Sequence, residues 1–336
     1  MRIAASRSSP TIPRTAHTLL RVRRLPIAGR PARPPAARLG PDAWHDAPVT
    51  DIGIIGGGKG ATLHADAVIH TRGADLIGVG GRPGTAGELA AVADAPDLSI
   101  DTLCARAEAI IVAVPPPEVH GVLQTVADAI ERGGPVRAVL VEPPLRTVPE
   151  MPVPLVLGAN LLHAPVVRQA LREIAAMHEP HHLQMRVRQP RPDWGAHGTA
   201  AFGGPLHDPG LRLAPVLLSA AAEPAVHVEV AEIPDGVHAA IELESGRRAG
   251  LDVAWTAGSS RIELEAADAG GVILLQLDPL PHLEIDGHPL EAPELHPLEA
   301  MGFVPQIDRL LRTAKGAAPW PDASIGTSIE ALFPSA

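Results

Sequence analysis

The residues best placed to do chemistry begin at a run of three glycines. An apolar run (Ile52, Ile54, Ile55) stops at Gly56, passes Gly58 and turns into Ala-rich helical sequence at Ala61. This is G-x-G-x-x-A between a strand and a helix, a form of the dinucleotide-binding fingerprint with Ala in the third glycine position. Gly56 permits a tight turn, Gly58 lets the backbone approach a pyrophosphate, and Ala61 allows close helix–strand packing. The helix N-terminus adds free N–H groups and the positive end of its dipole. Lys59 is placed to neutralise a phosphate, or is equally a solvated loop charge. A carboxylate about 20 residues past the glycines would read a ribose 2′-hydroxyl. The segment there is Gly80-Gly-Arg-Pro83, which has no acid. Arg82 suits a 2′-phosphate, so the expected cofactor is NADP, with NAD possible; an ordinary turn arginine is the plainer reading.

Composition narrows the remaining options. The chain has 336 residues, 46% hydrophobic, enough for one large or two ordinary domains. No apolar run reaches the ~20 residues of a membrane helix. A net charge of −10 disfavours nucleic acid as a partner, and an aromatic content of 2% offers no base-stacking platform. One cysteine, Cys104, excludes an internal disulfide framework and a multi-cysteine zinc site, and suits a reducing cytoplasm. Scattered histidines (His163, His181, His182, His197) show no metal-site spacing, so no metal is expected. The charge is uneven: residues 1–41 hold nine arginines and no acid. Residues 1–48 therefore read as a disordered, dispensable basic arm. A targeting peptide, or sequence upstream of a start near Val49, are the alternatives.

The elements that must position these residues follow in two styles. From Asp51 to about Pro149, strands (51–55, 74–80, 109–114, 136–141) alternate with helices (61–70, 85–93, 100–106, 117–132). Alternation of this kind implies a doubly wound parallel sheet with helices on both faces, an α/β Rossmann domain over 49–150. After Met151 the pattern changes. A helix at 164–176 precedes segments of period two. Val226, Val228 and Val230 oppose His227 and Glu229, and Val237, Ala239, Ile241 and Leu243 oppose His238 and Glu242. Leu251, Val253 and Trp255, then Ile262 and Leu264, continue it. This predicts an α+β domain over 151–336 with an open, mainly antiparallel sheet. Residues 278–297 read as Pro-rich turns, and 304–314 as a last helix.

A Rossmann domain followed by such an α+β domain resembles the Gfo/Idh/MocA oxidoreductases (glucose–fructose oxidoreductase, inositol dehydrogenase) over roughly residues 49–334. Several motifs align in order. The family's G-x-G-x-x-G-x-x-H resembles Gly56, Gly58, Ala61 and His64. Its ATPxxxH segment resembles Val112-Ala-Val-Pro-Pro-Pro-Glu-Val-His120. Its E-K-P resembles Glu142-Pro-Pro144, and its N-x-R-x-x-P resembles Asn160-Leu-Leu-His-Ala-Pro165. Its GG-x-L-x-D-x-G-x-H resembles Gly203-Gly-Pro-Leu-His-Asp-Pro-Gly-Leu-Arg212. The resemblance implies cofactor contacts near Pro115, His120 and Glu142, a small-molecule substrate, and pairing of chains through the open sheet face.

The departures matter as much. The family's substrate-binding lysine is here Pro143, which has no donor and no titratable group. Its acid/base histidine is Arg212, which cannot cycle a proton at neutral pH. Of that set Asp208 is kept. The resemblance therefore implies an intact cofactor half and a dismantled polyol-oxidising half. Asp208, Arg212 and His207, the last as a substitute acid, are the catalytic candidates. Reduction of a C=O or conjugated C=C by hydride transfer fits better than alcohol oxidation, with Arg212 stabilising developing negative charge. A nucleotide-binding sensor or assembly partner without turnover is the alternative. His64 reads as a packing or capping residue, and His120 as structural.

Overall fold

The computed structural model describes residues 49–145, 147–178, 180–191, 204–278, 281–291 and 293–332. The basic arm expected over 1–48, together with Gly203 and His197, lies outside them.

Strand β1 (Thr50–Ile55) leads through the glycine loop into helix α1 (Lys59–His70). Then follow β2 (Ala74–Gly80), α2 (Thr85–Val92), α3 (Ile100–Cys104), β3 (Ala109–Val112), α4 (Pro116–Glu131) and β4 (Ala138–Val141). The run expected to extend to Val114 ends at Val112, where its partners β1 and β4 also end, at Ile55 and Val141. A fifth strand, β5 (Leu155–Leu157), completes a parallel sheet in the order β2-β1-β3-β4-β5. The sheet thus runs past the boundary expected at 150; three residues are too short to show a period. Side chains alternate between two cores. Ile52, Ile54, Ile111 and Leu140 face α1 and a C-terminal helix, while Ile55, Ile110, Val112 and Val139 face α3 and α4.

A 3₁₀ turn (Asn160–His163) leads to α5 (Pro165–Ala176) and β6 (His182–Pro190). A wide π-type turn (Leu206–Gly210) opens α6 (Leu211–Ala221). Seven further strands follow: β7 (Ala225–Ile233), β8 (Gly236–Leu243), β9 (Arg248–Thr256), β10 (Arg261–Ala267), β11 (Val272–Asp278), β12 (His282–Ile285) and β13 (His288–Pro289). They form an eight-stranded sheet, β13-β12-β11-β10-β6-β9-β8-β7, antiparallel except where β6 meets β9. The chain ends in α7 (Pro297–Ala300), α8 (Phe303–Ala314) and α9 (Ala323–Leu332).

Three expectations need correction. Val226 does not join Val228 and Val230, because a register shift between Ala225 and His227 turns it out to 54% exposure. Residues 278–297 are not only turns: β12 and β13 form a hairpin closed by Asp286 and Gly287, both at positive φ (52° and 74°). Helix α8, expected as the last helix, is followed by α9 (Ala323–Leu332), and it packs beside α1 through Phe303, Ile307 and Leu310 in the core of the parallel sheet. Cys104 is fully buried, as expected of a small core residue.

His163, 6% exposed, sets its ring edge-on to Trp320 at 5.0 Å between centroids. Burial, then the charges of Arg168 and Arg309, push its pKa down to about 4. A histidine depressed in the folded state contributes stability above the unfolded value, lost as pH falls towards the folded one. Between pH 7 and pH 4 the wild type should lose about 3 kcal/mol more than His163→Phe, which keeps the ring contact. Denaturant unfolding at the two pH values measures the difference.

Candidate functional site

The site is assembled at the carboxyl ends of the parallel strands. The Gly56 N–H donates to the Gly80 carbonyl at 2.8 Å, tying the β1 loop to the end of β2. Gly56 has φ +143°, and a Cβ there would lie 2.2 Å from the Ala113 carbonyl oxygen. It is therefore glycine for a structural reason. Gly58 differs: it is the N-cap of α1, makes no side-chain cap bond, and a Cβ on it would meet nothing within 4 Å. The first-turn N–H groups of α1 thus begin beside open space. Lys59 is exposed at the first helical position, and Ala61 is fully buried against the sheet. The loop and helix end suit a pyrophosphate on steric and electrostatic grounds.

Arg82 leaves the end of β2 and ion-pairs with Glu118, in the first turn of α4. Pro115 is the N-cap of that helix. His120 is exposed and shares a 3.3 Å hydrogen bond between its Nδ1 and the Thr147 hydroxyl, which ties α4 to the loop after Pro144.

Glu142 follows β4 directly and is the centre of the polar cluster. The His64 Nε2 lies 2.8 Å from Glu142 Oε1, with side-chain exposures of 1% and 17%. Burial pushes the Glu142 carboxyl up, but the His64 hydrogen bond, the His64 charge and Arg212 outweigh it, so its pKa lies below the usual range. An ionised carboxylate only accepts, so Nε2–H is the donor. The buried Nδ1 then lacks a partner among the described residues. Gly60 makes this approach possible, since a Cβ there would sit 2.7 Å from Glu142 Oε2. His64, expected only to pack or cap, is the buried partner of Glu142; it also touches Phe303 edge-on at 5.5 Å. Pro143, in the lysine position, is buried beside it.

The second half of the cluster comes from the turn Leu206–Gly210. Asp208 leaves helical geometry (φ −145°, ψ 109°) inside that turn. The turn is seated on β9, where a Cβ on Gly210 would lie 3.1 Å from Val253. Arg212, the second residue of α6, bridges the two halves: its Nη1 lies 3.4 Å from Asp208 Oδ1, and its Nη2 3.8 Å from Glu142 Oε2. The guanidinium is held firmly protonated: burial opposes its charge, and Glu142 and Asp208 outweigh burial. Burial raises the Asp208 carboxyl; Arg212 pulls it down, Glu142 pushes it up, and the net is above the ordinary value. His207 is buried next to Asp208, whose own backbone is extended inside the turn.

The structure thus gathers His64, Glu142, Asp208 and Arg212 into one contiguous set, while Arg82 follows Gly81, which lies against the glycine loop, and Pro115 caps α4. No group of three or more His, Cys, Asp or Glu able to hold a metal occurs among the described residues. No described helix is long and apolar enough to cross a membrane.

The fold is a Rossmann-type parallel sheet joined to an open, mainly antiparallel sheet. Solved structures share it. GenD2 from gentamicin A biosynthesis, in complex with NAD, is 20% identical, covering 88% of this chain and 95% of its own at a TM-score of 0.71. UDP-N-acetylglucosamine 3-dehydrogenase GnnA from Acidithiobacillus ferrooxidans is 17% identical, covering 85% and 95% at 0.69. An oxidoreductase domain protein from Kribbella flavida is 16% identical, covering 85% and 96% at 0.71. No family model and no curated protein matches the chain.

Proposed function

We propose that this chain is a Gfo/Idh/MocA-type oxidoreductase that uses a nicotinamide cofactor to reduce a small carbonyl or sugar-like substrate. The observation that carries the reading is the joint placement of an open glycine loop at the α1 N-terminus and the cluster Glu142–Arg212–Asp208. The structural neighbours support it, since one of them is described with NAD and another as a dehydrogenase.

Gly56, Gly58 and the first turn of α1 would hold the pyrophosphate, with Lys59 beside it. Arg82 and Glu118 would flank the adenosine ribose, and Pro115, His120 and Glu142 would border the rest. The open side of Gly58 fits such a group, because nothing of the protein occupies the position a side chain would take. Arg82 favours the 2′-phosphate form, NADP. When bound, the cofactor supplies the hydride.

The chain's own residues then have separable tasks. Arg212 stays charged and stabilises negative charge developing on a substrate oxygen. Asp208, buried and with its pKa raised above the ordinary carboxylate value, is the candidate to pass a proton to that oxygen. His207 is the next candidate for that proton. Glu142, ionised and fixed by His64, keeps Arg212 oriented. With Pro143 in the lysine position, that position offers an alcohol no donor, which favours reduction over polyol oxidation. We also place the protein in the cytoplasm and as a homo-oligomer paired through the open sheet face, where His238 and Asp252 already bond to each other at 2.6 Å.

The test is turnover. The protein is mixed with NADPH or NADH and a panel of small aldehydes, ketones and sugar-derived carbonyls, and reduced cofactor is followed by absorbance. Consumption that depends on both protein and carbonyl is expected. Tight cofactor binding with no consumption across the panel would favour a sensor.

A further inference from the structure

We propose that Glu118 narrows the cofactor preference that Arg82 sets, by supplying from α4 the carboxylate that the end of β2 lacks. This rests on the nicotinamide reading above.

Strand β2 ends in Gly80-Gly81-Arg82, with no acid to accept a ribose hydroxyl. Gly81 brings this end against the glycine loop, since a Cβ on it would lie 3.4 Å from the Gly56 nitrogen. Arg82 therefore emerges beside the phosphate-binding turn. Helix α4 starts on the other side of β1, because β3 is β1's second neighbour. Its N-cap is Pro115, which has no polar side chain to cap the helix. Glu118 sits in its first turn, where a carboxylate is favoured by the helix N-terminus. Glu118 reaches across to Arg82, 36 residues earlier in sequence. The two side chains are 56% and 26% exposed, so a ligand can reach both.

Two forms of the same cofactor meet this pair differently. A ribose 2′-hydroxyl can donate to the Glu118 carboxylate and accept from the Arg82 guanidinium, so neither charge loses its partner. A 2′-phosphate gains Arg82 but must displace Glu118 from it and then face a like charge. Arg82 pulls towards NADP and Glu118 pulls back, so Glu118 narrows the preference that Arg82 would set alone. Discrimination here would be built by repulsion as much as by attraction.

The experiment is calorimetric titration of the full chain with NADPH and with NADH, comparing wild type, Glu118→Gln, Glu118→Ala and Arg82→Ala. An exposed pair contributes little to stability, so all variants should fold, and thermal melts check this. Both Glu118 variants should move the ratio of affinities towards NADPH by about tenfold, the scale of one charge-assisted hydrogen bond. Arg82→Ala should move it the other way. If wild type binds both cofactors and neither Glu118 variant moves the ratio by more than about twofold, which is below 0.5 kcal/mol, the role of Glu118 is overturned and the cofactor reading stands. If wild type binds neither, both fall.

Discussion

Replacing Asp208 with Asn should lower carbonyl reduction by about 10²–10⁴-fold, the usual contribution of a positioned acid or base. Asn has nearly the same shape and still offers an oxygen to Arg212, 3.4 Å from the present carboxylate. It cannot release a proton. Folding should not suffer, because the change removes a buried carboxylate whose desolvation is the largest influence on its pKa. Cofactor affinity should also hold, since Asp208 lies in the turn before α6 and not in the glycine loop. The pH profile gives an independent check. A group working as an acid with a raised pKa is active while protonated, so wild-type activity should decline as pH rises through that value. The residual activity of Asp208→Asn should lack this limb. Stopped assays across pH, with melting curves alongside, measure both. Full activity in the variant would shift the proton to His207.

The second large effect concerns the glycine loop, where two glycines should fail in different ways. Gly58→Ala should weaken cofactor binding at least tenfold with little change in melting temperature. Its φ of −86° and ψ of −173° suit alanine, and the added Cβ meets no protein atom within 4 Å. The methyl group enters only the space through which a pyrophosphate must approach the helix N-terminus. Each charge-assisted hydrogen bond lost there is worth ~1.5–3 kcal/mol, which is roughly 10- to 150-fold. Gly56→Ala should instead damage the fold, because its Cβ would collide with the Ala113 carbonyl at 2.2 Å and its φ of +143° suits no other residue. Thermal melts and calorimetry on the two variants separate a ligand-facing glycine from a structural one.

Much of this arrangement was legible in the sequence because it depends on local pattern. The continuous apolar runs of β1 and β3 and the period-two runs of β8 and β9 each carry their burial in their own spelling. So does the loop from Gly56 to Ala61. What stayed hidden depends on distant partners. Leu155–Leu157 is a strand because β4 lies beside it, not because of a period. Strand β11 (Val272–Asp278) was missed because Leu274 and Val272 interrupt the alternation on the outer face. His64 and Glu142 are 78 residues apart, and nothing in either neighbourhood spells the bond. Gly60, where a Cβ would crowd Glu142 Oε2 at 2.7 Å, was the available signal: a glycine inside the first turn of a helix asks what lies against it. Glu118 was legible only as a first-turn carboxylate. Its pairing with Arg82 needed the strand order β2-β1-β3 to be known.

On the proposed function, the same residues that hold a reduced nicotinamide cofactor lie beside those that reduce a carbonyl compound. The most direct measurement is the rate of NADPH oxidation by the wild-type chain with a carbonyl panel, run beside Asp208→Asn and Gly58→Ala. The account predicts carbonyl-dependent oxidation by wild type. It predicts loss through turnover number in Asp208→Asn, and through cofactor affinity in Gly58→Ala. Oxidation that is absent in wild type, or that survives both substitutions unchanged, would contradict it.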